Sequence, residues 1–303
     1  MKRWLAMLLS LCMLAALAGC GKQEEAPYQP DENDYSAALT PEERESMAQT
    51  EVHFSNKQVD QDIHSQLNRK TLTALELYDL VELNISGDFF TSEDIGDELS
   101  RYCPNLEKLT ISGKLGNLDF LSGLKNLRFL QAPSCKITDI SGLAELSRLE
   151  WLDLQDNQIS DLSALEGKQE LSSLDLKKNQ VSDLTPLQGL EKLKNLEISY
   201  NQVSDLSALA ELTNLDGLYA MKNQISDVSP LAKLTSLWLS DNQITDISAL
   251  ENLDQLESLK LKGNQITDVS VLEGKENLKE LNLSGNPIQD YSPVEAFGIK
   301  EEL

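Results

Sequence analysis

Positive charge and histidine are both in short supply in this chain, and each shortage excludes something. Lysine and arginine number 26 against 50 aspartates and glutamates, a formal net charge of −24. A surface of that sign repels nucleic-acid phosphates and anionic lipid head groups, so nucleic acid is not an expected partner. Two histidines occur, His53 and His64, and no cysteine or paired acidic set in ligand spacing accompanies them, so no metal site is expected. The chain has no G-x-S-x-G, no H-E-x-x-H, no phosphate-binding loop and no Cys/His pair of plausible spacing. An enzyme, a cofactor and a small-molecule substrate therefore all fall out of the expected readings. Long apolar runs are missing too, apart from Trp4 to Leu17, which is short for a membrane span.

What the chain does have is one phrase said many times. Its clearest copy is Leu149-x-x-Leu152-x-Leu154-x-x-Asn157-x-Ile159, followed by Ser160-Asp161-Leu162-x-x-Leu165. The asparagine returns at Asn179, Asn201, Asn223, Asn242, Asn264 and Asn286, at intervals of 22, 22, 22, 19, 22 and 22 residues. A fixed period of this length predicts a solenoid, one coil per repeat, each burying its leucines against the next. The wording resembles that of leucine-rich repeats. Leu152 and Leu154 are two apart, so on a short strand both face the core while Trp151, Asp153 and Gln155 face outward. Leucines three apart, as at Leu162 and Leu165, suit 3₁₀ segments on the convex side. The asparagine amide is placed to satisfy backbone groups of neighbouring coils, and the recurring aspartate opens the convex turn. Weaker copies put Cys135, Lys114 and Asp88 in the asparagine slot, which extends the array to about ten coils. The 19-residue interval between Asn223 and Asn242 lacks one Leu-x-x triplet. Its strand phrase is intact, so the loss is expected on the convex arc, with a flatter bend or looser packing there.

The ends differ in character. Lys2 and Arg3, the apolar run and Leu17-Ala18-Gly19-Cys20 describe a secretory signal over residues 1–19. Leu-Ala-Gly-Cys also resembles the lipobox of bacterial lipoproteins, which implies that Cys20 is diacylated, becomes the mature N-terminus and anchors the protein to a membrane, facing outward. Loss of Lys2 and Arg3 with the leader takes the formal charge from −24 to −26. Residues 20–50 are polar and acidic, with Pro27, Pro30 and Pro41, and read as a flexible tether in which Thr40-Pro41-Glu42-Glu43 can start a short helix. Residues 51–77 carry a helical stripe, Val59, Ile63 and Leu67, with Ser55 or Asn56 as cap, and read as the N-terminal cover of the solenoid. The solenoid itself is assigned to 78–290, including a convex helix from Thr91 or Ser92 to Tyr102 with Ile95, Leu99 and Tyr102 inward. Residues 291–303, with Pro293, Phe297 and Ile299, form a C-terminal cap.

Two cysteines are left to the folded part. Cys135 takes the packing slot of its coil and Cys103 approaches Leu106 from the convex side, too far apart for a disulfide, so both are expected as free thiols. On the outward strand positions two features stand out. Aromatics are only 5% of the chain, yet Trp151 and Trp238 both fall there, Phe129 beside the first, Tyr219 and Met221 beside the second. These residue types dominate binding hot spots. Asp153, Asp175 and Glu197 should stack on adjacent strands, like charge against like, with Lys177 relieving this in part and Lys260 further along the same row. A cationic patch on a partner, or a calcium ion, would relieve the rest.

The phrase L-x-x-L-x-L-x-x-N-Q-[IV]-[ST]-D-[ILV]-[ST]-x-L, as in Leu193 to Leu209 and Leu256 to Leu272, resembles the 22-residue repeats of internalins and related bacterial surface proteins. The resemblance runs from about Val52 to Ile288 and includes a helical cap. It implies an α/β solenoid of horseshoe form, with short parallel strands on the concave face and 3₁₀ or short helical segments on the convex one. It also implies binding of a protein ligand through the concave face. The chain departs from the family in having no immunoglobulin-like domain after the repeats and no cell-wall sorting motif. Two functional readings follow: a surface-tethered protein-binding module, or a structural or glycan-binding envelope component without a specific protein ligand.

Overall fold

The computed structural model of the protein describes residues 39–87, 97–231 and 233–297. The leader, Cys20, the tether up to residue 38, the Asp88 slot, Ser92, Ile95 and Ile299 lie outside the described residues.

The N-terminal cover begins earlier than the sequence pattern placed it. Helix α1 (Pro41–Gln49) starts at a capping box in which the Thr40 hydroxyl accepts from the Glu43 N–H and the Glu43 carboxylate accepts from the Thr40 N–H. Arg44 pairs with Asp79 at 2.8 Å, and Met47 packs on the core, so these residues are docked and not tether. Strand β1 (Glu51–Val52) then pairs antiparallel with β2 (Leu72–Thr73). Between them runs α2 (Lys57–Leu67), capped by the Asn56 side chain, with Val59 and Ile63 buried and Leu67 partly so. A short helix α3 (Ala74–Tyr78) follows directly on β2.

Ten short parallel strands make one sheet in strict sequence order. They are β3 (Glu82–Ser86), β4 (Lys108–Ser112), β5 (Phe129–Gln131), β6 (Trp151–Asp153), β7 (Ser173–Asp175), β8 (Asn195–Glu197), β9 (Gly217–Tyr219), β10 (Ser236–Trp238), β11 (Ser258–Lys260) and β12 (Glu280–Asn282). Leu152 pairs with Leu174, Leu174 with Leu196 and Leu196 with Leu218, so one leucine position lines the core from coil to coil. An edge strand offers unpaired backbone groups to solvent or to another chain. Here α2 closes that edge. The Asp62 carboxylate accepts the Ser86 N–H at 2.6 Å, and the Gln66 amide accepts from the Asn84 N–H and donates to the Glu82 carbonyl, both at 2.9 Å.

From β5 on, the chain leaves each strand through one residue in the left-handed region: Ser134, Asp156, Lys178, Tyr200, Lys222 and Asp241, with φ between 54° and 62°, then Gly263 and Gly285. The next residue is the slot residue. Asn179 shows how it works. Its Oδ1 accepts the Ile159 N–H of the preceding coil at 3.0 Å, and its Nδ2 donates to Leu154 O of that coil at 2.9 Å and to Leu176 O of its own at 3.0 Å. Asn157, Asn201, Asn223, Asn242, Asn264 and Asn286 repeat the pattern. Cys135 fills the slot with a weaker donor, its thiol reaching Pro133 O at 3.3 Å and Ile111 O at 3.6 Å. Lys114 does not: its side chain is exposed, and the close contact there is made by Gly113. A Cβ on Gly113 would overlap the Gly87 carbonyl, so the two chains approach at that coil as only glycine allows.

On the convex side the leucine triplets form 3₁₀ turns, among them Ser163–Leu165, Thr185–Leu187 and Ser207–Leu209. The aspartate before each accepts the N–H two residues on, as Asp161 does from Ser163 at 2.8 Å and Asp183 from Thr185 at 2.8 Å. The short coil is shortened where expected. Among the described residues no 3₁₀ turn lies between β9 and β10, while β10 keeps register with both neighbours and Asn242 keeps its bonds. Leu231 beneath it is 6% exposed where Leu187 is fully covered. The helix expected up to Tyr102 is seen over Glu98–Tyr102, with Leu99 buried. At the far end Ser292–Phe297 form a 3₁₀ turn that puts Val294 into the core, with Tyr291 and Phe297 packed partly against it.

Replacing Asn179 with Ala leaves Ile159 N–H and Leu154 O buried without that partner, and should lower the unfolding free energy by about 2–3 kcal/mol. Asn286→Ala, at the less enclosed end of the ladder, should lower it by less. Urea midpoints read both, and an unchanged midpoint for Asn179→Ala would show that the ladder contributes nothing. Cys103 and Cys135 are free and buried, with burial pushing the Cys103 thiol up to about 12 and the Cys135 thiol up to about 11. Neither should be alkylated in the folded protein at neutral pH, and both should be labelled once it is unfolded, as mapped by peptide mass spectrometry.

Candidate binding face

Two outward rows cross the sheet, and strand register decides what each side chain meets. The first carries Lys108 beside Phe129, Phe129 beside Trp151 and Trp151 beside Ser173. The second runs unbroken from Gln131 through Asp153, Asp175, Glu197, Tyr219, Trp238 and Lys260 to Asn282. The expected acidic stack and the second aromatic cluster therefore sit in one line, with Trp151 flanking its start. Four strand steps separate Trp151 from Trp238, roughly 19 Å at 4.8 Å per strand.

The second cluster is built from several strands. The Tyr219 and Trp238 rings meet edge to face, their centroids 4.8 Å apart. Tyr219 lies over Gly217, whose absent side chain makes room: a Cβ there would stand 3.1 Å from the phenol. Lys260 Nζ is 3.9 Å from the Trp238 ring centroid and 3.7 Å from Glu280. Trp238 Nε1 donates to Ser258 Oγ, which donates to Glu280, each at 2.9 Å. Met221 is half-buried two residues beyond Tyr219, its N–H donating to Ser199 Oγ at 3.0 Å. Gly217, Ser258 and Glu280 were not picked out as site residues from the sequence. Their place in the row before the aromatics was the available signal. Two cations lie over the Phe129 ring, Lys108 Nζ at 5.7 Å and the Arg128 guanidinium at 5.6 Å from its centroid.

The carboxylates are held, not waving. Each accepts the N–H two residues on: Asp153 from Gln155 at 3.1 Å, Asp175 from Lys177 at 2.9 Å and Glu197 from Ser199 at 2.8 Å. Lys177 contributes chiefly its backbone here. Among the described residues none of the three carboxylates has an ion-pair partner. Asp153 is also reached by the Gln131 amide at 3.3 Å and is only 4% exposed. Phe129, Trp151, Tyr219, Met221 and Trp238 are likewise partly buried, where open exposure was expected. The reason is the strand spacing: in-register neighbours less than 5 Å away shade one another even on the open face. That shading has an electrostatic effect. Burial, with the charges of Asp153 and Glu197 adding to it, pushes the Asp175 carboxyl up to about 6.

A separate hollow of about 400 Å³ lies where the chain enters the strands, lined by Glu150, Glu170, Ser172, Lys192, Lys194 and Asn214. Lys192 and Glu170 pair across it at 2.6 Å.

The family of Leucine Rich repeats (2 copies) matches residues 125–167, 147–189, 169–211, 191–233, 213–252 and 232–274, and a further Leucine Rich repeat matches 274–290. The chain is a leucine-rich repeat protein of internalin-like type. A solved internalin of Listeria monocytogenes is 32% identical, covers 80% of this chain and 73% of its own, and superposes with a TM-score of 0.75. Internalin C2 of the same organism is 31% identical over 71% of this chain and 94% of its own, with a TM-score of 0.62. A plant peptide hormone receptor, RGFR1 in complex with RGF2, shares the fold at 24% identity over 70% of this chain and 37% of its own, with a TM-score of 0.58. Among curated proteins no match to the chain is found. Leucine-rich repeat domains are typically protein-binding modules without catalysis, and no catalytic family is among the matches. Among the described residues no helix is long and apolar enough to cross a membrane.

The raised Asp175 carboxyl carries a sign that can be tested. An unfolded aspartate ionises near 3.8, the folded one at about 6, so stability falls as pH rises through that interval and stays lower above it. Asp175→Asn should therefore stabilise the fold at neutral pH, by on the order of 1 kcal/mol once solvent screening is allowed for, and should not do so below pH 3.8. Thermal melts at the two pH values decide this; an equal gain at both would trace it to packing rather than charge.

Proposed function

We propose that this internalin-like protein is an outward-facing, lipid-anchored binding module that takes a protein ligand on the concave face of its repeats. The observation that carries the reading is the composition of the central row. Three pinned carboxylates without an ion-pair partner among the described residues lead directly into the Tyr219–Trp238–Lys260 cluster, with Phe129 and Trp151 at the other flank. Aromatic anchors give a partner apolar area to cover, and the acidic row rewards positive charge placed between them. The ligand class that fits is a protein presenting Lys or Arg side chains flanked by apolar ones. A receptor of the same fold, RGFR1, is solved in complex with RGF2, which fits ligand capture by a leucine-rich repeat domain. The anchor rests on the leader and Cys20.

Crosslinking on intact cells followed by affinity capture of the full chain tests both halves. Trp151→Ala with Trp238→Ala should abolish partner capture while circular dichroism shows the fold retained, with a lower melting temperature because Trp238 packs on Tyr219 and bonds Ser258. Cys20→Ser should release the protein from the membrane fraction. Capture that survives both tryptophan truncations would move the site off this face. Retention on purified cell wall, insensitive to the same truncations, would favour the structural or glycan-binding reading instead.

A further inference from the structure

We propose that His53, Asp60 and His64 form a binding site for a divalent late transition metal, zinc in the first instance, in the N-terminal cap. The sequence spacing gives no reason to expect a metal site at the two histidines; the fold brings the Asp60 carboxylate to both. Asp60 and His64 are four residues apart on α2 and so share one face, and the chain leaving β1 brings His53 over them, its ring centroid 6.5 Å from that of His64. One ligand atom from each of the three lies within 4.8 Å of the other two.

The hydrogen bonds around the cluster orient it toward a cation. His64 Nδ1 is 2.9 Å from the carbonyl oxygen of Arg69, a group that only accepts, so Nδ1 carries a proton and donates it. A neutral His64 ring then presents the bare lone pair of Nε2. That lone pair faces Asp60 Oδ2 at 3.5 Å, acceptor against acceptor. The other Asp60 oxygen is occupied by the Phe54 N–H at 2.9 Å, which aims Oδ2 into the site. A histidine whose second nitrogen donates to a backbone carbonyl is the usual arrangement of a metal-bound imidazole. Two ligands of a tetrahedral zinc, each about 2.0–2.1 Å from the ion, stand roughly 3.4 Å apart, which is the Asp60–His64 separation already present. His53 is exposed, so its ring has room to turn and close the remaining gap.

A positive charge between Asp60 and His64 could also be a proton, giving a plain ion pair along the helix. His53 separates the two cases, because a shared proton needs two groups and a metal needs the third. Surrounding charge suits a cation there: Glu51 lies 3.5 Å from His53 Nε2, and the Arg69 guanidinium is paired with Glu76 at 2.9 Å. Two imidazoles with one carboxylate suit zinc, copper(II) or nickel rather than calcium or magnesium, which prefer oxygen ligands throughout. Bound there, the ion would tie the segment after β1 to α2, the helix that seals the first strand of the sheet.

Zinc titration by calorimetry on the full chain, purified without a polyhistidine tag and stripped with chelator, tests the assignment. One zinc per chain is expected. His53→Ala and the isosteric Asp60→Asn should each weaken binding about tenfold or more. Without zinc, His53→Ala should melt with the parent protein, since its side chain is exposed; with zinc, the parent alone should gain melting temperature. The chain has two histidines, so long-range proton–nitrogen spectra report both rings directly, and zinc should shift both. Absence of zinc uptake, or uptake undiminished in His53→Ala, overturns the proposal.

Discussion

A side-chain amide that bonds to two coils at once is the constraint on which the structure depends. Each strand is only three residues long in most coils, and the chain must turn sharply at its end through a left-handed residue. Such a turn strands N–H and C=O groups inside the solenoid, where they cost about 1–3 kcal/mol each if left unpaired. Asparagine has both a donor and an acceptor on one planar head, and the ladder uses them in relay: Leu176 O accepts from Asn179 and from Asn201, Ile198 O from Asn201 and Asn223. The leucines supply the driving force for stacking. The amides decide that stacking happens in this register and no other.

Because that scaffold repeats, it carries no information about a partner. The information lies in the side chains that the scaffold leaves facing out, and register converts it into geometry. Residues 22 apart in sequence become neighbours less than 5 Å apart in space. Asp153, Asp175 and Glu197 are therefore one electrostatic object, and Tyr219, Trp238 and Lys260 one aromatic one, though nothing local in the chain joins them. The cap belongs to the same logic. Asp62 and Gln66 imitate a further strand for β3, so the first coil meets side-chain oxygens and amides where later coils meet backbone.

Much of this was legible before the fold was seen, for a physical reason. A periodic sequence states its own alignment, so the asparagine spacing alone fixed which residues share a row, and Phe129 beside Trp151 or Tyr219 beside Trp238 followed by counting. The helix of the cap was legible from Val59, Ile63 and Asn56 because an amphipathic stripe and a cap residue are local signals. What could not be counted was burial and contact. Asp153 is covered by Gln131 and Gln155, which no spacing rule announces, and Lys114 stands out of the ladder because Gly113 and Gly87 bring their coils together too closely. The company of the histidines divided along the same line. Asp60 and His64 are visible as a helical pair, but His53 joins them only through the turn after β1. The left-handed residue before each slot also passed unnoticed, since lysine, tyrosine and aspartate fill it as well as glycine.

The coil between β9 and β10 shows what the design tolerates. Its back is shorter by one triplet, yet Ser236 still faces Gly217 and Trp238 still faces Tyr219. The front of the solenoid thus keeps its lattice while the back varies: the pitch of the strands is set at the slot, and the length of the return path is a loose variable. Insertions and deletions confined to that return path can accumulate over evolutionary drift while the spacing of the ligand-facing residues stays untouched.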